Sequence, residues 1–157
     1  MPIDIDQMLR EQWRELGFFC DFDKERRRWR LIGSRNGLLK FHDLLNEYVA
    51  DPRNEKLSEH EHYGPYMYLK VITWNESSIS EGGISGTLPD LKRLASIVDG
   101  KLQACSAGDT FTISAEYAEG SEVELEFEVK DEGFDPVSAD PLLRAHAAQQ
   151  RHAPDRE

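Results

Sequence analysis

The sequence of 157 residues contains little cysteine, no long apolar run, and no basic stretch followed by an apolar one near its start. Its two cysteines, Cys20 and Cys105, lie far apart and form no C-x-x-C motif, so we expect reduced thiols rather than a disulfide or a metal pair. No apolar stretch approaches the ~20 residues that a membrane-spanning helix needs. These absences predict a cytoplasmic protein with no membrane partner.

Motifs of catalysis and of nucleotide binding are also missing. The sequence has no G-x-S-x-G nucleophile motif, no G-x-G-x-x-G spacing and no Walker-type lysine, and the glycines at 82–86 are typical of an ordinary turn before a helix. The sequence therefore predicts a protein that is not an enzyme and binds no cofactor.

One pair of histidines provides an alternative. His60 and His62 stand one residue apart, and in an extended segment both imidazoles point to the same side, where they could bind one metal ion. His42, Asp43 and Glu61 are the available further donors, but no spacing specifies them. A solvated polar loop leading into a strand is the simpler interpretation, so we predict no metal site and keep a small metal-dependent enzyme centred on His60 and His62 as the alternative function.

Negative charge is concentrated in one part of the chain. The formal net charge is −11, and residues 109–135 carry ten acidic side chains against a single Lys130, a local net of −9. Such a field repels nucleic acid and attracts a basic protein. A surface that only keeps the protein soluble is the other interpretation.

Hydrophobic periodicity predicts three helices and several strands. The strongest strand pattern is 66–74, which follows Gly64-Pro65, and the clearest alternation is at 123–130. Beyond Gly133 little remains to bury. We predict one domain over residues 1–135 and a mobile tail over 136–157. The remaining predicted elements are helices at 4–17, at 36–50 and from Thr87 onward, and strands at 18–23, 29–33, 84–85 and 111–117.

Two parts of the sequence match in register. The segment L-I-G-S at 31–34 aligns with I-S-G-T at 84–87, and the same offset superimposes the apolar positions of two predicted helices. We therefore predict an α+β fold with an internal β-α-β duplication. The expected architecture is a single two-layer domain in which one mostly antiparallel sheet has its helices packed on one face.

Alternation along the predicted strands sorts their side chains onto two faces. The face away from the helices carries aromatic residues at one end and glutamates at the other, unless Trp13 of the first helix covers the aromatic part. Aromatic side chains supply rigid contact area, and carboxylates steer a basic partner. We predict that this surface binds the partner through Tyr66, Tyr68, Trp74, Glu116, Glu124, Glu126 and Glu128.

Short motifs in the central part of the chain support a family resemblance that covers about residues 29–102. They are H-E-H-Y-G-P-Y at 60–66, L-K-V-I-T-W at 69–74, I-S-G-T at 84–87, D-L at 90–91 and L-A at 94–95. With these motifs the chain resembles small bacterial immunity-type proteins that accompany polymorphic or contact-dependent toxins. The resemblance implies a protein that binds and blocks a cognate toxin without chemistry of its own, and it assigns no individual functional residue.

The sequence thus predicts a non-catalytic cytosolic binding protein, most concretely an immunity-type inhibitor with a basic toxin domain as its partner. Self-association, for example as a homodimer, is the further alternative. The sequence does not name the toxin or its activity.

Overall fold

The computed structural model describes residues 4–143, which form three α-helices and eight strands. Three single 3-10 turns lie at Pro52–Glu55, Pro65–Met67 and Pro136–Ala139. Among the described residues, no helix is long and apolar enough to cross a membrane. The elements are α1 (Ile5–Leu16), β1 (Phe19–Asp23), β2 (Arg28–Ser34), α2 (Arg35–Ala50), β3 (His60–Tyr63), β4 (Leu69–Thr73), β5 (Ser78–Ser80), β6 (Gly83–Gly86), α3 (Leu88–Gln103), β7 (Thr110–Ile113) and β8 (Glu124–Lys130).

The strands form two four-stranded sheets. Sheet 1 has the order β1-β2-β8-β7 and sheet 2 the order β3-β4-β6-β5. In each sheet the central pair is parallel and both outer pairs are antiparallel. The α+β class and the mostly antiparallel pairing are therefore confirmed. The expectation of one sheet is wrong, because each half of the chain contributes one hairpin to each sheet.

The internal duplication is visible in the helices and their caps. Helices α2 and α3 both have 16 residues, and each is preceded by a glycine and a hydroxyl residue, Gly33-Ser34 before α2 and Gly86-Thr87 before α3. The Oγ of Ser34 accepts the backbone N–H of Gly37 at 3.0 Å, and the Oγ1 of Thr87 accepts that of Asp90 at 3.1 Å. Each repeated unit is a hairpin, a helix and a second hairpin, which is larger than the predicted β-α-β unit.

The core lies where the two helices meet the sheets. Helices α2 and α3 pack on each other, and α2 also packs on the centre of sheet 1, where the rings of Phe41 and Phe127 are 5.9 Å apart. The apolar stripes of both helices are buried, as their periodicity predicted. Burial of this apolar surface is the main stabilising contribution to the fold.

The chain after β8 differs from the predicted mobile tail. Val137, Asp140 and Leu143 are buried. The turn at 136–139 packs against α1 and sheet 1, and Asp140 accepts a hydrogen bond from Trp13 of α1. The predicted boundary at residue 136 is therefore wrong for 136–143, because the partners of this short segment lie far away in sequence. The predicted tail beyond Leu143 lies outside the described residues.

Two predicted strands are shorter than their patterns indicated. The strand expected at 66–74 begins only at Leu69, because Pro65–Met67 forms a 3-10 turn. The polar residues 60–63, expected in a loop, form β3 and pair with β4. The strand expected at 111–117 ends at Ile113, and Glu116 lies in a turn.

Candidate functional site

A concave groove between the two sheets is the candidate functional site, here called the aromatic cleft. It has a volume of about 450 Å³ and is walled by β1, β2, the turn before β4, the β5–β6 turn and the segment at 140–142. Five of its side chains are aromatic, and three are carboxylates. Its lining residues are Phe19, Asp21, Phe22, Lys24, Trp29, Tyr66, Tyr68, Glu81, Asp140, Pro141 and Leu142.

A glycine-proline turn places the tyrosines in the cleft. Gly64 has φ +80° and Pro65 opens the 3-10 turn, after which Tyr66 adopts a left-handed conformation with φ +65°. This conformation costs a residue with a side chain about 1–2 kcal/mol. The surrounding contacts offset this cost. The Tyr66 ring stands 6.2 Å from that of Trp13 and 5.1 Å from that of Tyr68.

Asp140 holds three segments of the chain together behind the tyrosines. Its Oδ2 accepts hydrogen bonds from Trp13 Nε1 at 2.9 Å and from the Tyr66 hydroxyl at 2.8 Å, and its Oδ1 accepts the backbone N–H of Leu142 at 2.9 Å. The Asp140 side chain is almost fully buried, yet all three donors are neutral. Among residues 4–143, no cation forms an ion pair with this carboxylate.

Burial and the neighbouring Asp140 carboxylate both act on Tyr66. Loss of solvation is the larger effect, and the hydrogen bond to Asp140 adds to it, so that the pKa of the Tyr66 phenol is raised above its ordinary value. The phenol therefore stays protonated at neutral pH and remains a hydrogen-bond donor to Asp140.

The floor of the cleft joins the two sheets. Trp29 Nε1 donates a 2.8 Å hydrogen bond to the carbonyl oxygen of Ser80, which connects β2 of sheet 1 to β5 of sheet 2. The Phe22 ring stands edge-on to Trp29 at 5.3 Å. Trp29 is buried, whereas Tyr68 is 44% exposed. The cleft thus has a rigid aromatic floor and an accessible aromatic rim.

The charged side chains that line the cleft differ in whether they are already paired. Arg30 binds Asp21 through two hydrogen bonds, of 2.9 and 2.7 Å, which neutralises that carboxylate. Glu81 and Lys24 are exposed, and neither has a hydrogen-bond or ion-pair partner among the residues that the structure describes. The remaining negative charge of the cleft therefore comes from Glu81 and Asp140.

The structure divides the predicted partner-binding residues into separate groups. Tyr66 and Tyr68 are brought together in the aromatic cleft, as predicted for a shared surface. Trp74, also 44% exposed, is not there. It lies beyond the other end of β4, in an apolar patch with Leu57, Leu88 and Pro89, here called the Trp74 patch.

The predicted acidic surface is largely paired with cations. Glu126 contacts Arg28 at 2.6 Å, because β8 pairs with β2 and their charged side chains share the outer face of sheet 1. It also contacts Arg26, in the turn before β2, at 3.0 Å. Glu128 contacts Lys130 at 2.7 Å, and Glu116 contacts Lys101 at 3.7 Å. Only Glu124 of the predicted glutamates has no such ion pair within the described part of the chain. The concentration of acidic residues in sequence does not become an equally negative surface.

The two histidines of the alternative metal site share the outer face of sheet 2. The rings of His60 and His62 are 5.4 Å apart, and His60 Nδ1 lies 3.1 Å from the carbonyl oxygen of Ser58. His42 instead contacts its neighbours Asp43 and Asn46. Residues 4–143 contain no group of three or more His, Cys, Asp or Glu side chains that could hold a metal ion.

The sequence patterns missed most of the cleft. Tyr66 and Tyr68 were found from their strand-like run, but Asp140, Trp29 and Glu81 carry no local signal that connects them to it. No protein-family model, curated protein or solved structure matches this chain. The geometry and charge of the aromatic cleft are therefore the basis of the functional proposal.

Proposed function

We propose that this protein is a non-catalytic cytoplasmic binding protein and that its aromatic cleft accepts a segment of a basic protein partner. Most concretely, we propose an immunity-type inhibitor that binds and blocks a toxin domain. No cofactor takes part in this function. The partner is a protein rather than a nucleic acid or a membrane.

The observation that carries the proposal is the combination of an accessible aromatic rim with a rigid aromatic floor. Tyr68 and Leu142 are exposed at the rim, and Phe19 and Trp29 are buried in the floor. Aromatic side chains in a concave pocket that can exclude water are typical of the residues that contribute most to protein–protein binding.

Pre-organisation also favours binding at this place. The hydrogen bonds from Trp13 and Tyr66 to Asp140, together with that from Trp29 to Ser80, hold the walls before any partner arrives. A surface that is already ordered loses less conformational entropy on association, so more of the contact energy appears as affinity.

The toxin identity of the partner rests on the family resemblance and on one structural link to it. The motif at 60–66 that carries the resemblance contains the glycine-proline turn and Tyr66, and this turn places the tyrosines in the cleft. The carboxylates of Glu81 and Asp140 support a basic partner over an acidic one.

Capture with paired variants tests the proposal. The tagged chain is passed through lysate of its source organism at low salt, in parallel with Tyr68→Ala and Trp74→Ala, which remove aromatic side chains of equal exposure inside and outside the cleft. We expect one basic protein to be retained by the wild type and by Trp74→Ala, and to be lost with Tyr68→Ala. The purified partner should lose its toxic activity when mixed with an equimolar amount of the wild-type chain.

Two outcomes would contradict the proposal. Retention of the partner by Tyr68→Ala, with loss by Trp74→Ala, would move the interface away from the aromatic cleft. A captured protein whose activity is unchanged by an excess of the chain would show binding without inhibition.

The Trp74 patch supports self-association as a second candidate function. Leu57 and Trp74 are exposed there beside Leu88 and Pro89, and adjacent exposed apolar side chains can bind a second copy of the chain. Sedimentation over a range of concentrations measures this directly. A dimer that dissociates in Trp74→Ser would support self-association, and a monomer throughout would exclude it without affecting the cleft.

A further inference from the structure

We propose, on the basis of the function above, that the aromatic cleft recognises an arginine side chain presented by the partner. The cleft combines aromatic ring faces, unneutralised carboxylates and a volume of about 450 Å³. The guanidinium group of an arginine side chain can stack on aromatic rings, pair with carboxylates and fit in such a volume.

The aromatic rings supply the surfaces on which a planar cation stacks. The rings of Tyr66 and Tyr68 stand 5.1 Å apart at a 41° angle on one side of the cleft, and those of Phe22 and Trp29 stand 5.3 Å apart at its floor. The negative faces of such rings attract a cation electrostatically, and the attraction grows when the site excludes water.

The carboxylates supply the complementary charge. Asp140 is buried with neutral donors alone, so its negative charge is not balanced within the described residues. Glu81 adds a second charge at the rim, and Lys24 is the one cation among residues 4–143 that lines the cleft. A positive ligand between Asp140 and Glu81 would neutralise charge that the protein itself leaves unpaired, at a place where low-dielectric walls strengthen the interaction.

Arginine fits better than lysine because its guanidinium is planar, less strongly hydrated and able to stack on aromatic rings while donating hydrogen bonds sideways. The chain itself contains one such contact. The guanidinium of Arg93 lies 5.1 Å from the centre of the Tyr117 ring and donates 2.8 Å hydrogen bonds to the carbonyl oxygens of Glu116 and Tyr117.

Peptide titration followed by proton–nitrogen NMR tests the inference with the full chain. The probe is an N-acetylated, C-amidated Gly-Arg-Gly peptide, and its control is the same peptide with citrulline, which keeps the shape of arginine and removes its charge. The three tryptophan indoles report position: Trp29 lines the cleft, Trp13 lies behind Asp140, and Trp74 lies in the Trp74 patch. We expect the arginine peptide to shift the Trp29 signal saturably and to leave Trp74 unchanged. Binding of the citrulline peptide should be at least about tenfold weaker.

Variants inside and outside the cleft locate the site at which the peptide binds. Glu81→Gln should weaken the arginine peptide by about two- to fivefold, as expected for an exposed ion pair. Glu119→Gln, which removes an exposed carboxylate outside the cleft, should leave the affinity unchanged. Tyr68→Leu should weaken the peptide without changing the Trp13 indole signal of the free protein.

Several results would overturn the inference. Equal binding of the citrulline peptide would remove the role of charge, and a shift of Trp74 alone would place the peptide elsewhere. The chain carries further arginines at Arg144, Arg151 and Arg156, outside the described residues. Absence of binding both in the wild type and in a variant with these three changed to Gln would therefore also overturn it. If capture of the partner needs Tyr68 but the arginine and citrulline peptides bind with equal affinity, the arginine inference is contradicted and the proposed function is not.

Discussion

The indole of Trp13 donates a 2.9 Å hydrogen bond to Asp140, although 127 positions separate the two residues in the chain. Both side chains are 1% exposed. The same carboxylate oxygen accepts the Tyr66 hydroxyl, so a single acidic group connects the first helix, the turn before β4 and the segment that follows β8. This connection explains why residues 136–143 belong to the folded domain and why Tyr66 can remain in a left-handed conformation.

Removal of the Asp140 carboxylate should destabilise the fold. Asp140→Ala leaves the buried Trp13 N–H and the partly buried Tyr66 O–H without their acceptor, and we expect the free energy of unfolding to fall by about 2–4 kcal/mol. Urea denaturation measures the change. Asp131→Ala, at an exposed position in the preceding turn, is the control and should change stability by less than about 0.5 kcal/mol. Similar losses in both variants would contradict a specific role for Asp140.

Glu126 should contribute more to the stability of the fold than to the negative charge of the surface. Its side chain is 13% exposed and contacts Arg28 and Arg26, and the Nε of Arg28 is buried without a hydrogen-bond partner among the described residues. Glu126→Gln leaves the partly buried Arg28 without its counter-charge, so we expect a loss of about 1–3 kcal/mol.

Glu122 is the matched control for Glu126. Its side chain is 84% exposed and lies 3.6 Å from Arg27. Exposed ion pairs contribute little, so Glu122→Gln should cost less than about 0.5 kcal/mol by the same urea measurement. If the two variants unfold at the same urea concentration, the pairing of Glu126 is not stabilising.

Tyrosines with a raised pKa should make the protein sensitive to alkaline pH. Burial, reinforced by nearby carboxylates, raises the pKa of Tyr63, Tyr66 and Tyr117 above the ordinary tyrosine value of about 10. Above about pH 10 the unfolded chain releases these protons while the folded chain retains them, so this contribution to stability is complete below about pH 10 and is lost as the pH rises further.

Comparison of the wild type with Tyr117→Phe measures one of these contributions. Each tyrosine with a raised pKa should steepen the fall in the free energy of unfolding by up to about 1.4 kcal/mol per pH unit. Urea unfolding between about pH 9 and pH 11 should therefore show a smaller slope in Tyr117→Phe than in the wild type. The difference between the two slopes cancels the titration of lysines. Parallel pH profiles would disprove the raised pKa of Tyr117.

Two helical glycines should respond in opposite ways to alanine. A Cβ on Gly37 would overlap the carbonyl oxygen of Gly17, where α1 ends against the start of α2, whereas a Cβ on Gly100 of α3 would meet no atom within 4 Å. We expect Gly37→Ala to lower stability by about 1–3 kcal/mol through steric overlap. Gly100→Ala should raise it by about 0.5–1 kcal/mol through helix propensity. Thermal unfolding of both variants measures the signs, and a stabilising Gly37→Ala would contradict the close approach of Gly17.

Local features of this fold were predictable because neighbouring residues determine them. The helical spacing of Leu38, Phe41 and Leu45 required one buried stripe, and Ser34 and Thr87 cap their helices through side chains that reach only three residues ahead. The alternation at 123–130 separates the buried Leu125 and Phe127 from the glutamates between them for the same reason.

The choice of strand partners was not predictable from such patterns. A strand that alternates correctly can pair with several others, and the parallel pairing of β2 with β8 brings together segments about a hundred residues apart. That pairing places Arg28 beside the acidic strand, where its guanidinium contacts Glu126, and Arg26 of the preceding turn contacts the same carboxylate. Part of the local charge of −9 in the sequence is thereby paired with cations from a distant segment.

The cleft shows the same division between local and distant effects. The helices and their capped turns follow from residues within one or two turns of chain, and the order of helical and strand patterns predicted the α+β class. Long-range packing produces the two sheets, separates Trp74 from Tyr66 and Tyr68, and brings Asp140 and Trp29 to the cleft around these tyrosines. These features depend on the burial of side chains from distant segments against one another, and this burial leaves no periodic signal in the sequence.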